Sequence, residues 1–299
     1  MKNFLLFFLV LILSAGFTAA EDIGLTVGLE FGVTDVNKPN DAEDVYPYLE
    51  VSVEYENSFL DEALDIYVGL AYDIGFTQEI NDDGEKVNPN GLSFDFSIGY
   101  NLGLGAASTL SFILGNENYI EFAPSTGDRV FGVIKPGIRF NQNAEDNGDF
   151  YAQLDVPVAY LYFGAEKDYT FAGLDITLGW ASVFGLGIEA TGHILLSPTD
   201  NMGDGETLNG FTGISITASY ETGPIYTEIA ATIPVKNLDI GSPYSYFDLS
   251  AGSGVSITPM FSYTFSMGFS AYLSLTFDGI GVKDNDMGIT AAIGVTRSF

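Results

Sequence analysis

The chain contains no cysteine, so no disulfide staples the fold and its stability must come from elsewhere. It has one histidine, His193, and 10 lysines and arginines against 40 aspartates and glutamates. A lone histidine without cysteine supplies no His/Cys metal cluster. The shortage of base excludes nucleic acid as a partner, because phosphate recognition demands Lys and Arg. There is no phosphate loop and no dinucleotide fingerprint. Beyond the first segment no stretch shows helical spacing.

What is present is apolar and acidic at once. Hydrophobic residues make up 46% and aromatics 14%, yet the formal net charge is −30. Acidity of that order usually accompanies low hydrophobicity and disorder. Here the two must be segregated in space. The opening "MKNFLLFFLVLILSAGFTAAEDIG" has Lys2, an apolar run from Phe4 to Leu13, then small residues. That order predicts a secretory signal over 1–20, cleaved after Ala20, because the run falls short of the roughly 20 residues a spanning helix needs. The remainder, 21–299, reads as one domain.

The segregation appears at period two. "GLTVGLEFGV" sets Leu25, Val27, Leu29, Phe31 and Val33 against Thr26, Gly28, Glu30 and Gly32. "LSFDFSIGYNLGL" sets Leu92, Phe94, Phe96, Ile98, Tyr100 and Leu102 against Ser93, Asp95, Ser97, Gly99 and Asn101. Strict alternation is the strand signature. About 14 strands follow from it, many longer than the roughly 5–6 residues usual in globular proteins. Their predicted spans are 22–34, 45–57, 63–78, 91–104, 108–122, 129–141, 150–163, 169–181, 184–197, 210–222, 224–236, 246–265, 267–278 and 287–299. The fifth and sixth are the least regular, and the twelfth reads as a strand with a loop arm. Connections alternate between short ones, such as "SVFG" and "SMG", and long acidic ones, such as "INDDGEKVNPN" and "SPTDNMGDGETLN". "NQNAEDNGD" (141–149) is long where a short turn belongs, which leaves about 12 strands as the alternative count.

Three features place the apolar face outside. It is nearly free of charge, with Arg297 the main exception. The polar face is small, rich in Gly, Ser, Thr and Ala, and almost without Lys. A ring of about 14 strands also encloses more space than side chains fill. A closed sheet with an apolar exterior spans a membrane without an unpaired edge. Tyr46, Tyr48, Tyr100, Tyr160, Tyr162, Trp180, Tyr220 and Tyr263 are candidates for interfacial aromatic girdles. A soluble exported β-sandwich is the competing architecture.

The ending "GITAAIGVTRSF" resembles the carboxy-terminal assembly signal of bacterial outer-membrane β-barrel proteins, porins among them. Phe299 matches the terminal aromatic, and Val295, Ile293 and Ala291 match the apolar positions on its face. Arg297 stands where an aromatic or apolar residue is usual. The resemblance implies an outer-membrane location, contact with outer-membrane lipid, and delivery by the barrel-assembly machinery. It also implies short periplasmic turns, longer acidic extracellular loops, and an architecture compatible with a homo-oligomer.

If the polar face lines a lumen, Glu50, Glu54, Asp65, Asp73, Asp95, Asp155, Asp175, Glu189, Glu228 and Asp278 all point into it. Acidic linings favour cations. Arg129, Lys135 and Arg139 share the same parity on the sixth strand. They read either as a basic wall facing acidic ones, the transverse field that resemblance to porins suggests, or as local neutralisers of carboxylates such as Asp155. "NDDGE" (81–85), "DNMGDGE" (200–206) and "DNDMG" (284–288) carry oxygen ligands suited to calcium but lack the full loop register. His193 has Glu189 and Thr191 on its own face, half of a triad, with no distinctive serine beside it. No catalytic site, metal or cofactor is expected from these patterns. The expected function is a porin-like channel for passive diffusion of small hydrophilic solutes, with a preference for cations. The alternatives are a non-conducting structural or adhesive surface barrel, and a transporter of hydrophobic compounds; the last wants a plugged lumen, and no amino-terminal hatch is apparent between Glu21 and the first strand.

Overall fold

The computed structural model describes residues 25–34, 46–60, 62–76, 79–80, 86–87, 90–122, 129–144, 147–162, 168–196, 210–234, 254–265, 268–280 and 287–298. The strands are β1 (Leu25–Thr34), β2 (Tyr46–Phe59), β3 (Leu64–Gly75), β4 (Glu79–Ile80), β5 (Lys86–Val87), β6 (Asn90–Gly103), β7 (Ser108–Phe122), β8 (Arg129–Asn143) and β9 (Asp149–Asp155). They continue with β10 (Val158–Tyr162), β11 (Asp168–Ala181), β12 (Leu186–Leu196), β13 (Gly210–Thr222), β14 (Ile225–Pro234), β15 (Val255–Thr264), β16 (Phe269–Ile280) and β17 (Gly288–Ser298). Among the described residues there is no α-helix.

Every pairing is antiparallel, and each long strand lies beside its neighbours in the chain. β17 returns to β1, from Thr26 opposite Ser298 to Val33 opposite Ala291, and closes the sheet. The short β4–β5 ribbon stands apart from the wall. β9 and β10 are one stave. On β8, Asp155 faces Gly137 and Val158 faces Ile134, so the register is unbroken across Val156-Pro157. The ladder lapses there because Pro157 has no N–H to give; its carbonyl still accepts from Gly173 at 2.8 Å, and Val156 donates to Pro136 at 2.9 Å. The result is a closed barrel of 14 strands.

The exterior is apolar. Leu29, Phe31, Phe94, Ile98, Phe112, Ile176 and Ile188 are exposed, with Leu178 at 61% and Ile293 at 58%. Among the described residues the buried hydrophobic set is only Val27, Val51, Val133 and Ala292. A water-soluble fold does not present so much contiguous apolar surface. A bilayer requires it, and closure satisfies the backbone inside lipid. This is the architecture of bacterial outer-membrane barrels, and it excludes the sandwich.

The irregular places have local causes. The 141–149 segment is a turn: Asn143 faces Asp149, and Ala144 donates to the Gly148 carbonyl at 2.9 Å. Gly148 sits at φ 83°, where a Cβ would strike the Ala181 carbonyl. The count is therefore 14 rather than 12. The fifth predicted strand, now β7, carries Asn116 and Asn118 on the outward parity, and Asn118 turns its amide to the Phe94 carbonyl at 3.1 Å. The sixth, now β8, carries Pro136. The twelfth is β15; its predicted arm, 246–253, lies outside the described residues, as do the signal segment and Phe299.

Candidate functional site

The polar parity converges on the lumen. β1, β2 and β3 are adjacent, and Glu30 lies directly opposite Glu50, which lies directly opposite Asp73. Three carboxylates thus occupy one rung. Two tyrosines brace it: Tyr48 donates to Glu30 Oε1 at 2.8 Å and Tyr272 to Glu30 Oε2 at 2.6 Å. A second acidic row runs from Glu54 past Gly69 to Asp95 and Glu117. Asp95 accepts the Asn118 N–H at 3.3 Å, and Glu117 is ion-paired to Lys135. Tyr67, Asp95, Ser97, Glu117, Lys135 and Asp155 line one hollow of the inner wall.

Several other acids of the same parity have polar partners. Ser58 and Asn101 donate to Asp65, both at 2.7 Å. Gln153 donates to Asp155 at 2.7 Å, and Ser256 to Asp278 at 2.6 Å. Tyr151 bonds Glu189, and Tyr226 bonds Glu228. Arg139 reaches Asn141 at 2.8 Å and lies 3.8 Å over the Tyr151 ring. Lys135 and Arg139 thus face acids and a tyrosine within their own neighbourhood. Arg129 is opposite Glu121 in the backbone register, and its side chain lies outside the described set.

Asp175 is 7% exposed, and its Oδ1 lies 2.9 Å from Nδ1 of His193. Nε2 of His193 lies 3.0 Å from Ser215 Oγ, which lies 3.4 Å from Thr232 Oγ1. The carboxylate expected beside His193 was Glu189, and this is corrected: Glu189 is engaged by Tyr151, and Asp175 takes its place. Four residues along a strand is roughly 13 Å, whereas residues directly opposite are about 5 Å apart.

Tyr48 is also reassigned. It points inward to Glu30 rather than to a girdle. It belongs to a set of lumen tyrosines whose contacts parity alone does not give. The phenol end of Tyr48 lies over Gly32, that of Tyr151 over Gly179 and that of Tyr272 over Gly294; a Cβ at each glycine would collide with it. Each pair is directly cross-strand. The glycine lets the aromatic fold onto the wall and deliver its hydroxyl to a carboxylate. Trp180, Tyr100, Tyr220 and Tyr263 remain on the outer face; Trp180 donates to the Asn147 carbonyl at 2.8 Å. Ile293 and Val295 of the closing strand are exposed outward, and Arg297 lies 4.8 Å over the Phe269 ring. Among the described residues no group of three or more acids or histidines is placed to hold a metal ion. The segments 81–85 and 200–206, and 284–286 of the third acidic loop, lie outside them.

No family model matches this sequence, and no curated protein is significantly similar to it. Similar solved structures are large barrels. The toluene transporter TbuX of Ralstonia pickettii is 11% identical, with 95% of this chain and 91% of that one aligned and a TM-score of 0.48. The toluene transporter TodX of Pseudomonas putida is 12% identical over 96% and 91%, with a TM-score of 0.47. Outer membrane phospholipase A of Escherichia coli is 10% identical over 91% and 92%, with a TM-score of 0.43. The likeness is of one barrel to another and assigns neither cargo nor chemistry.

Proposed function

We propose that the protein is a passive channel of the bacterial outer membrane, admitting small hydrophilic solutes through a lumen that prefers cations. The observation that carries this reading is the Glu30–Glu50–Asp73 rung, three carboxylates set side by side across adjoining staves. Like charges directly opposite one another weaken a sheet, and a role in the lumen accounts for their presence. Rings of acidic side chains attract cations and repel anions. Glu54, Asp95, Asp155, Asp175, Glu189, Glu228 and Asp278 extend the same field. Lys135 and Arg139 interrupt it on one side.

A second reading is passage of apolar aromatic compounds such as toluene, the cargo named for two of the similar barrels. Its support in this chain is the set of tyrosines packed against inner-wall glycines at Tyr48, Tyr151 and Tyr272. Planar-bilayer recording of the purified barrel separates the two. Stepwise conductance with a reversal potential toward that of the cation supports the first. A barrel that stays silent to ions yet speeds toluene entry into liposomes supports the second and overturns the first. A folded barrel inactive in both assays overturns both in favour of a structural or adhesive surface protein.

A further inference from the structure

We propose that Asp175, His193 and Ser215 form a hydrolytic triad on the lumen wall, acting on small neutral or cationic carboxylic esters. The three residues come from three consecutive staves, β11, β12 and β13. Asp175 and His193 are direct cross-strand partners. Gly213 is the direct partner of His193 on β13 and carries no side chain, so the imidazole reaches past it to Ser215, two residues along on the same face. The register breaks immediately beyond, between His193 and Ile194. Bulges of this kind re-aim side chains and are frequent beside active sites.

The hydrogen bonds run in the order such chemistry needs. Asp175, nine-tenths buried, is 2.9 Å from Nδ1 and fixes the imidazole with Nε2 toward Ser215 at 3.0 Å. A serine whose hydroxyl meets a carboxylate-oriented histidine is an activated nucleophile. Ser215 and His193 keep partial exposure on the face where solutes pass. Thr232 places a second hydroxyl 3.4 Å from Ser215 Oγ, a donor for charge that develops on the carbonyl oxygen.

The reaction balances with water alone. Ser215 Oγ adds to the ester carbonyl as its proton passes to His193 Nε2. The carbon–oxygen bond to the alcohol breaks, and the alkoxide takes that proton. Lumen water then attacks the acyl-serine, giving its proton to His193; the acid leaves and Ser215 regains its hydrogen. Asp175 is a positioning residue throughout. The field of Asp155, Asp175 and Glu189 disfavours anionic substrates, which selects neutral and cationic esters.

This inference rests on the reading that small solutes enter the lumen, and the test keeps the two apart. The refolded barrel is treated with 4-nitrophenyl acetate and with a small fluorophosphonate label, and conductance is recorded on the same preparation. Labelling on Ser215, abolished in Ser215→Ala and His193→Gln but retained in Ser52→Ala, is expected. Asp175→Asn should lower kcat by about 10³-fold or more with little change in KM, while heat-modifiable gel mobility and conductance stay as in the parent. An open channel that takes no label, or label and hydrolysis unchanged in Ser215→Ala, overturns the triad and leaves the channel standing. A labelled barrel without conductance overturns the channel and leaves the triad standing.

Discussion

Replacing Glu50 with glutamine should strengthen the barrel and weaken its selectivity. Glu50 lies directly opposite both Glu30 and Asp73. Cross-strand partners have Cβ atoms about 4.5–5.5 Å apart. At roughly 5 Å two unit charges repel by about 0.8 kcal/mol in water and about 3 kcal/mol at an effective dielectric near 20. Two such neighbours, in a lumen screened by water and counter-ions, leave a gain of about 1–2 kcal/mol for Glu50→Gln at low salt. The glutamine keeps the shape and can still hydrogen-bond its neighbours. A cation on the rung loses about 0.8 kcal/mol of attraction at roughly 5 Å, close to fourfold in occupancy. Urea titration in detergent at low and at molar salt reads the first effect, with the gain shrinking in salt. The reversal potential in a salt gradient reads the second. A less stable variant, or a stability gain without any loss of selectivity, would refute the account of the rung.

Lys135→Glu with Arg139→Glu should raise cation preference and lower stability, since Glu117 loses its ion-pair partner; unchanged selectivity and conductance would remove the basic wall from the mechanism. Gly294→Val should dislodge the Tyr272 ring, destabilise by about 1–3 kcal/mol through overpacking, and narrow the conductance. Adding Tyr272→Ala should restore the conductance, and failure to do so would show that the ring is not what the valine displaced. Trp180 is the only tryptophan, so fluorescence excited selectively at tryptophan reports it alone. Shallowly brominated lipids should quench it more than deeply brominated ones, and the reverse order would place it away from the interface.

The strands were legible because each face has a single chemistry: Leu92 to Leu102 and Ser93 to Asn101 separate cleanly by parity. Parity also puts Glu50, Asp73 and Asp175 on one face without knowledge of any partner. It fails where a residue contradicts its face for a reason outside its strand. Asn116 and Asn118 on β7 and Pro136 on β8 blur two strands in this way. The 141–149 turn misled because Gly148 alone signals how the chain reverses there. Contacts within the lumen were not legible, because they depend on register. Asp175 meets His193 across a ladder, and no spacing within "GIEATGHILL" reports it. The inward role of Tyr48, Tyr151 and Tyr272 was missed for the same reason. A signal existed in the pairing of lumen-parity tyrosines with lumen-parity glycines on neighbouring strands, but it becomes readable only once those strands are aligned.

The glycines beneath the tyrosines carry an evolutionary consequence. At Gly32, Gly179 and Gly294 the bore is held open by the absence of a side chain rather than by the presence of one. Single-nucleotide changes turn a glycine codon into alanine, valine, serine or aspartate. Each would swing one aromatic leaf away from the wall while leaving the outer surface and the strand pairing untouched. The calibre of the lumen can thus change in small steps without a redesign of the barrel.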